Sequence, residues 1–304
     1  MQSWHGVVGV DGPFASVYLD VSDHLDLRWR AVRDQLEGFG AGPGVLAVLD
    51  GAMVEATPAG MTGRALVVGD GRVLVDRFLP VPPTGYVARF GDLPYLLPMV
   101  DLSEPLLPHV VVDVGAHGAE LRGVDPTGRA VAVASVGARR PDRRLDPAEL
   151  ADVASEATSL VDLVRAPLLV LAGTLSARRS LRVALPERYR HLVVEVEGAP
   201  DRAVAALAGR ADQDGRRAVV QRFRDESARL TGRAVHGVAA VQAALEAGTV
   251  GTLLLSDPLV GSLDADGGRA DEVLPLLAAA SGAEVVLVGD AVRLHEDSGA
   301  LLRD

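Results

Sequence analysis

The stretch GARRPDRRLD, residues 137–146, puts Arg139, Arg140, Arg143 and Arg144 into six positions of a 304-residue chain whose formal net charge is -11. A guanidinium presents a planar fork of donors that suits phosphate oxygens, and phosphate contacts position a protein on RNA without reading its sequence. Only Asp142 and Asp146 offset the four cations locally, so the chemistry open to this cluster is anion recognition. Arg178, Arg179 and Arg182 form a second concentration, and Arg210, Arg217 and Arg224 recur at heptad spacing further on. In that last stretch Asp212 and Arg216, and Asp225 and Arg229, stand four apart, the spacing of ion pairs on a solvated helix face. The candidate RNA-binding residues are therefore the four loop arginines together with Arg178, Arg179 and Arg182. A chain-wide bias is the competing cause, because all 30 basic residues are Arg and none is Lys.

The rest of the chemistry is bounded by omission. Absence of Lys rules out a Walker A lysine and Schiff-base chemistry, and absence of Cys rules out disulfides and thiolate sites. No G-x-S-x-G, H-E-x-x-H or G-x-G-x-x-G pattern occurs. His5, His24, His109, His117, His191, His236 and His295 lack metal-ligand spacing. DADGG, residues 264–268, opens like a calcium loop, yet Pro275 stands where the bidentate Glu belongs, so it reads as a turn. No cofactor is expected. The start of the chain lacks a basic segment followed by an apolar one, and runs such as APLLVLAGTL fall short of a membrane span, which makes the cytoplasm the expected location. The acidic balance argues against a broad nucleic-acid-coating surface, and neither DNA nor a membrane is an expected partner.

Hydropathy patterning supplies the elements that must hold the arginines. FASVYLDV (14–21) reads as a strand, DLRWRAVRDQLEGFG (26–40) as a helix with Leu27, Val32 and Leu36 on one side, and GPGVLAVLDGAMV (42–54) as either. Asp70 and Gly71 suit the positive φ angles of a hairpin turn between two further strands. The proline-dense stretch from Pro80 to Pro108 predicts an extended connector, with a domain boundary near residue 104. Three strand-like runs, 109–115, 119–124 and 129–136, predict a meander. The arginine loop follows and feeds a helix whose start is marked by Asp146 as N-cap, Pro147 as first helical residue and Glu149 three after the cap. Leu150, Val153, Ala154, Ala157, Leu160, Val161 and Val164 define its buried face. Arginines beside a helix N-terminus make an anion-attracting corner. A strand (167–173), a short helix (176–185) and a strand (191–198) complete the segment. Beyond it the pattern predicts a long charged helix from Asp201 to Leu230, broken near Gly215, a helix over 232–248, strands at 249–257 and 283–290, and a helix between them. The expected fold class is α/β, in three small α/β domains: 1–104, 105–199, and 200–304, the last opened by the long helix.

GPFASVYLDVSD (12–23), GRALVVGDGRVLV (63–75), DLPYLLPMVDL (92–102), HVVVDVGAHGAEL (109–121) and VQAALEAGTVGTLLLSD (241–257), in that order, resemble bacterial relatives of the archaeal and eukaryotic class-1 peptide chain release factor and of Pelota. The likeness is to the branch of the hibernation factor Balon and its dormancy-associated actinobacterial relatives. It implies a release-factor/Pelota-like arrangement that enters the ribosomal A site, with the first domain towards the decoding centre and the second towards the peptidyl-transferase centre. The third domain would meet partner factors, such as the translational GTPase elongation factor Tu. The ribosome and its rRNA are the implied partners. In the release factors a Gly-Gly-Gln loop precedes the long helix of the second domain and admits the hydrolytic water. Here only the shortened loop 137–146 stands there, and the single Gly-Gly, Gly267-Gly268, is followed by Arg269.

The resulting expectation is a translation-related, stress-responsive factor that binds RNA and occupies the ribosome without catalysis. Two alternatives stay open: a peptide release factor or peptidyl-tRNA hydrolase, and a stress adaptor with no RNA contact.

Overall fold

The computed structural model describes residues 6–58, 61–79, 81–102, 107–115, 118–126, 128–137, 145–229, 232–256, 264–265 and 267–303. Strand β1, Phe14–Asp20, is buried almost throughout, which its β-branched and aromatic content favours. Helix α1, Leu25–Gly38, turns Val32 and Leu36 inward but leaves Leu27 exposed. Five residues on a helix amount to a rotation of about 140°, so Leu27 and Val32 cannot share a face. The ambiguous segment is a helix, α2, Pro43–Met53, with Pro43 in its first turn and Leu46 and Leu49 buried. β2, Gly63–Gly69, and β3, Arg72–Leu79, join through Asp70 (φ 48°) and Gly71 (φ 66°), as the hairpin signal predicts. The expected connector contains regular structure instead: β4, Val87–Gly91, and α3, Leu97–Leu102. No proline lies inside β4, and Pro98 falls in the first turn of α3, where backbone N–H groups have no helical partner. These four strands form an antiparallel sheet in the order β3-β2-β1-β4. Ala15, Val17 and Leu19 meet the core of α1 and α2 on one face.

The next segment runs β5, His109–Val114; β6, Gly118–Val124; β7, Ala130–Gly137; α4, Pro147–Val164; β8, Leu168–Gly173; α5, Leu175–Ala184; and β9, Val193–Glu195. β5, β6 and β7 are the expected antiparallel meander, while β8 pairs parallel to β5 and β9 parallel to β8, in the order β7-β6-β5-β8-β9. Val153, Ala157, Leu160, Val161 and Val164 of α4 pack on Val110, Val112, Leu121, Leu169 and Leu171. Their i, i+3/i+4 spacing is the reason one helix can cover the sheet.

Helix α6, Pro200–Arg229, is continuous through Gly215, against the expected break. A single Gly lowers helix stability by only about 1 kcal/mol, which 30 residues of helix absorb. The segment 232–248 is not all helix. It begins as β10, Ala234–His236, and becomes α7, Val238–Glu246, only after Gly237, whose φ of 83° interrupts regular backbone. β11, Val250–Leu255, a ribbon of β12, Asp264–Ala265, and β13, Gly268–Arg269, then α8, Ala270–Ser281, β14, Glu284–Leu287, and β15, Ser298–Leu302, complete the order. β11 runs parallel to β14 and antiparallel to β15 in the sheet β10-β15-β11-β14.

The fold is α/β, with one large sheet in each of the three segments. By packing the chain forms two compact units, one from residues 105–214, the other from 2–104 and 215–304. In the second unit Phe14, Tyr18, Ala65 and Val67 share a core with Leu245, Leu253, Leu255 and Leu274.

Candidate nucleic-acid interface

The junction between β7 and α4 is built from its helix inward. Asp146 has extended backbone (φ -82°, ψ 170°), and its Oδ1 accepts from the N–H groups of Ala148 and Glu149, both at 2.9 Å. Glu149 is buried, and its Oε2 accepts from Asp146 N–H at 2.8 Å. This reciprocal pair, anticipated from the sequence, stabilises the helix start by about 1 kcal/mol. It also changes the electrostatic expectation for the corner. The Ala148 and Glu149 N–H groups already face the Asp146 carboxylate, so α4 does not offer them to an anion. Arg139, Arg140, Arg143 and Arg144 lie outside the described residues.

Helix α5 starts at Thr174, whose Oγ1 accepts from Ala177 N–H at 3.4 Å, and it separates its three arginines. Arg178 is buried to 3% exposure, which corrects its expected place on an RNA-facing surface. Its Nη1 donates to the carbonyls of Val196 and of Gly173, the latter at 3.3 Å, and its Nη2 donates to Glu197 Oε1 at 3.3 Å. Nε lies 3.7 Å from Glu195 Oε2 without a hydrogen bond. The guanidinium is thus committed to the protein, holding α5 against the end of β9. A signal for this existed: Arg178 precedes the buried Leu181 by three and Leu185 by seven, the spacing of one helix face. Arg182 is exposed and pairs with Glu195 Oε1 at 3.2 Å. Arg179 is exposed and, among the described residues, has no ion-pair partner. Of the three, Arg179 and Arg182 remain on the surface.

On α6 the expected i,i+4 pairing is partly replaced. Asp225 accepts from Gln221 at 2.9 Å, and Arg229 meets Glu226 at 3.7 Å rather than Asp225. Arg216 and Arg224 donate to the carbonyls of Leu287 and Ala291, binding the helix to its own sheet. Among the described residues no cluster of three or more His, Asp or Glu could hold a metal ion, and no helix is long and apolar enough to cross a membrane.

Residues 147–229, which span α4 to the end of α6, match bacterial archaeo-eukaryotic release factor family 2. An uncharacterized protein of Mycobacterium tuberculosis, found alike in strains CDC 1551 / Oshkosh and ATCC 25618 / H37Rv, is 30% identical over 98% of this chain and 95% of its own length. Among solved structures, Archaeoglobus fulgidus Pelota is similar at 19% identity over 79% of each chain, with a TM-score of 0.41. A model of ribosome-bound archaeal Pelota and ABCE1 is similar at 17% identity over 99% of this chain and 92% of that one, with a TM-score of 0.46. Since the mycobacterial identity runs along nearly the whole sequence and the family match covers the capped helix and the elements after it, the chain belongs to bacterial archaeo-eukaryotic release factor family 2.

Proposed function

We propose that this family member is a ribosome-binding translation factor that occupies the A site without catalysing peptide release, as a hibernation factor does under stress. One observation supports the reading most: the segment between β7 and α4, where the resembled release factors carry Gly-Gly-Gln, holds four arginines and no such tripeptide. Guanidinium groups there suit rRNA phosphates, and the Gln with which the resembled release factors admit the hydrolytic water is missing from that segment. Arg179 and Arg182, exposed on α5, are further guanidinium groups open to phosphate oxygens. The C-terminal segment would meet a translational GTPase such as elongation factor Tu, and the site of action would be the cytoplasm.

Cosedimentation of the purified chain with vacant ribosomes at low and moderate salt tests the reading. Binding is expected at low salt, weakening as salt rises. Replacing Arg139, Arg140, Arg143 and Arg144 by Ala should weaken it and flatten log K against log salt by about 0.7 to 0.9 for each phosphate the loop no longer neutralises. Failure of the folded chain to sediment with ribosomes at either salt overturns the proposal. A single-turnover assay on ribosomes carrying peptidyl-tRNA should show no hydrolysis above background; hydrolysis would replace this reading by a release factor.

A further inference from the structure

At the C-terminal end of α4 a shallow cavity of about 440 Å³ opens towards the 3-10 turn Glu187–Leu192. Arg165 lines it from the helix end, Arg188 and His191 from the turn, with Asp162 and Tyr189 beside them. Its size falls within the range of about 300 to 1,000 Å³ typical of small-molecule sites.

Two features set this cluster apart from solvated surface charge. Arg165 closes α4 as a left-handed residue, φ 52° and ψ 46°, the position that Gly occupies most readily. The helix dipole favours a cation there, but the side chain is exposed and, among the described residues, has no ion-pair partner. Arg188 is held in place. Its guanidinium lies 4.7 Å from the centroid of the Tyr189 ring, and its Nη2 donates to the Tyr189 hydroxyl at 2.8 Å. That hydroxyl donates in turn to Asp162 Oδ2 at 2.7 Å, and this hydrogen bond, aided by burial, pushes the phenol pKa up and keeps the proton on oxygen. The relay orients Arg188 without neutralising it. Among the described residues its remaining N–H groups have no hydrogen-bond partner and no carboxylate pairs with it.

Two guanidinium groups without an ion-pair partner among the described residues, against the one carboxylate of Asp162, leave this cavity cationic on a chain whose net charge is -11, which favours an anion there. Donors from three side chains on two elements can each take a separate oxygen of a phosphate, whereas a carboxylate has only two to offer. We propose that this cavity binds a phosphate group, carried either by a free nucleotide or by an RNA strand. The site is at the end of α4 opposite Asp146 and requires no ribosome, so it stands apart from the function proposed above.

Titration of the full chain with inorganic phosphate, AMP or a short RNA, followed by the His191 ring resonances, tests the proposal. A saturable shift is expected. Saturation by phosphate and AMP identifies a free nucleotide as the source, and saturation by the RNA alone identifies a strand. Arg188→Ala should weaken binding roughly tenfold, the scale of removing one charge-assisted hydrogen bond. Arg165→Gly should weaken it similarly without lowering the melting temperature, because Gly relieves the left-handed backbone. No saturable shift with any of the three probes, or wild-type affinity in Arg165→Gly, overturns the assignment.

Discussion

Nη2 of Arg89, in β4, donates to Oδ2 of Asp271, in the first turn of α8, at 3.1 Å and across 182 positions of sequence. Around this bond Arg89 Nη1 donates to Glu272 Oε1 at 2.9 Å, and Arg269 donates twice to Asp271 at 2.9 Å. The Arg89 guanidinium lies 3.6 Å above the Tyr95 ring, while Tyr95 is tied to β1 through its N–H to Ser16 Oγ (2.9 Å) and its carbonyl to the Tyr18 hydroxyl (2.5 Å). The first and third segments are therefore joined by a balanced ionic cluster as well as by a common apolar core.

Asp271 should make this junction sensitive to acid. Burial works to raise its pKa, but the hydrogen bonds from Arg269 and the charge of Arg89 outweigh it and hold the carboxyl below its ordinary value. A folded-state pKa below the unfolded one stabilises fully above about pH 4, and that stabilisation is lost as pH falls through the folded value. Asp271→Asn should cost about 2 kcal/mol at neutral pH, and the difference from wild type should shrink below about pH 4. Urea unfolding followed at pH 7 and pH 3 checks both.

The arginines of α5 should divide between folding and binding. Arg178→Ala removes the donors of a buried guanidinium and leaves the Val196 carbonyl without its side-chain partner, so it should cost about 2 kcal/mol. Exposed Arg179→Ala should change stability by less than about 0.5 kcal/mol and should instead weaken ribosome cosedimentation. Melting temperatures measured beside the binding assay separate the two effects.

Asp146→Ala removes the cap of α4 and should destabilise by about 1 kcal/mol. Glu149 would keep its bond to the residue 146 N–H, so the effect should be partial, and Asp146→Ser should recover most of it. Denaturant midpoints of the three chains decide this.

Gly173 ends β8 at φ 104°, and a Cβ built there would overlap the Val114 carbonyl oxygen. That contact is with backbone, so no side chain can rotate away. Gly173→Ala should cost about 3 kcal/mol or more and reduce soluble yield, whereas the control Gly209→Ala, in open space on α6, should stabilise by up to about 1 kcal/mol.

Local rules were enough for some of this architecture. The start of α4 could be read from Asp146, Pro147 and Glu149 because a helix cap is satisfied within four residues, and the β2–β3 turn from Asp70-Gly71 because only those two backbones must adopt positive φ. The run of four arginines over 139–144 and the missing Gly-Gly-Gln are facts of the sequence itself. Other features depended on partners far away in sequence. β4 forms amid prolines because β1 offers it a free edge, and β10 forms because Ala234, Val235 and His236 meet β15, some 63 to 67 positions on. Proximity in sequence grouped Arg178 with Arg179 and Arg182, but the carbonyl of Val196 and the carboxylate of Glu197 draw Arg178 inside. Only folded coordinates bring Arg165 and Arg188 to one cavity, or Arg89 to Asp271, because such meetings depend on how β-sheets and helices pack and not on any periodicity within a segment.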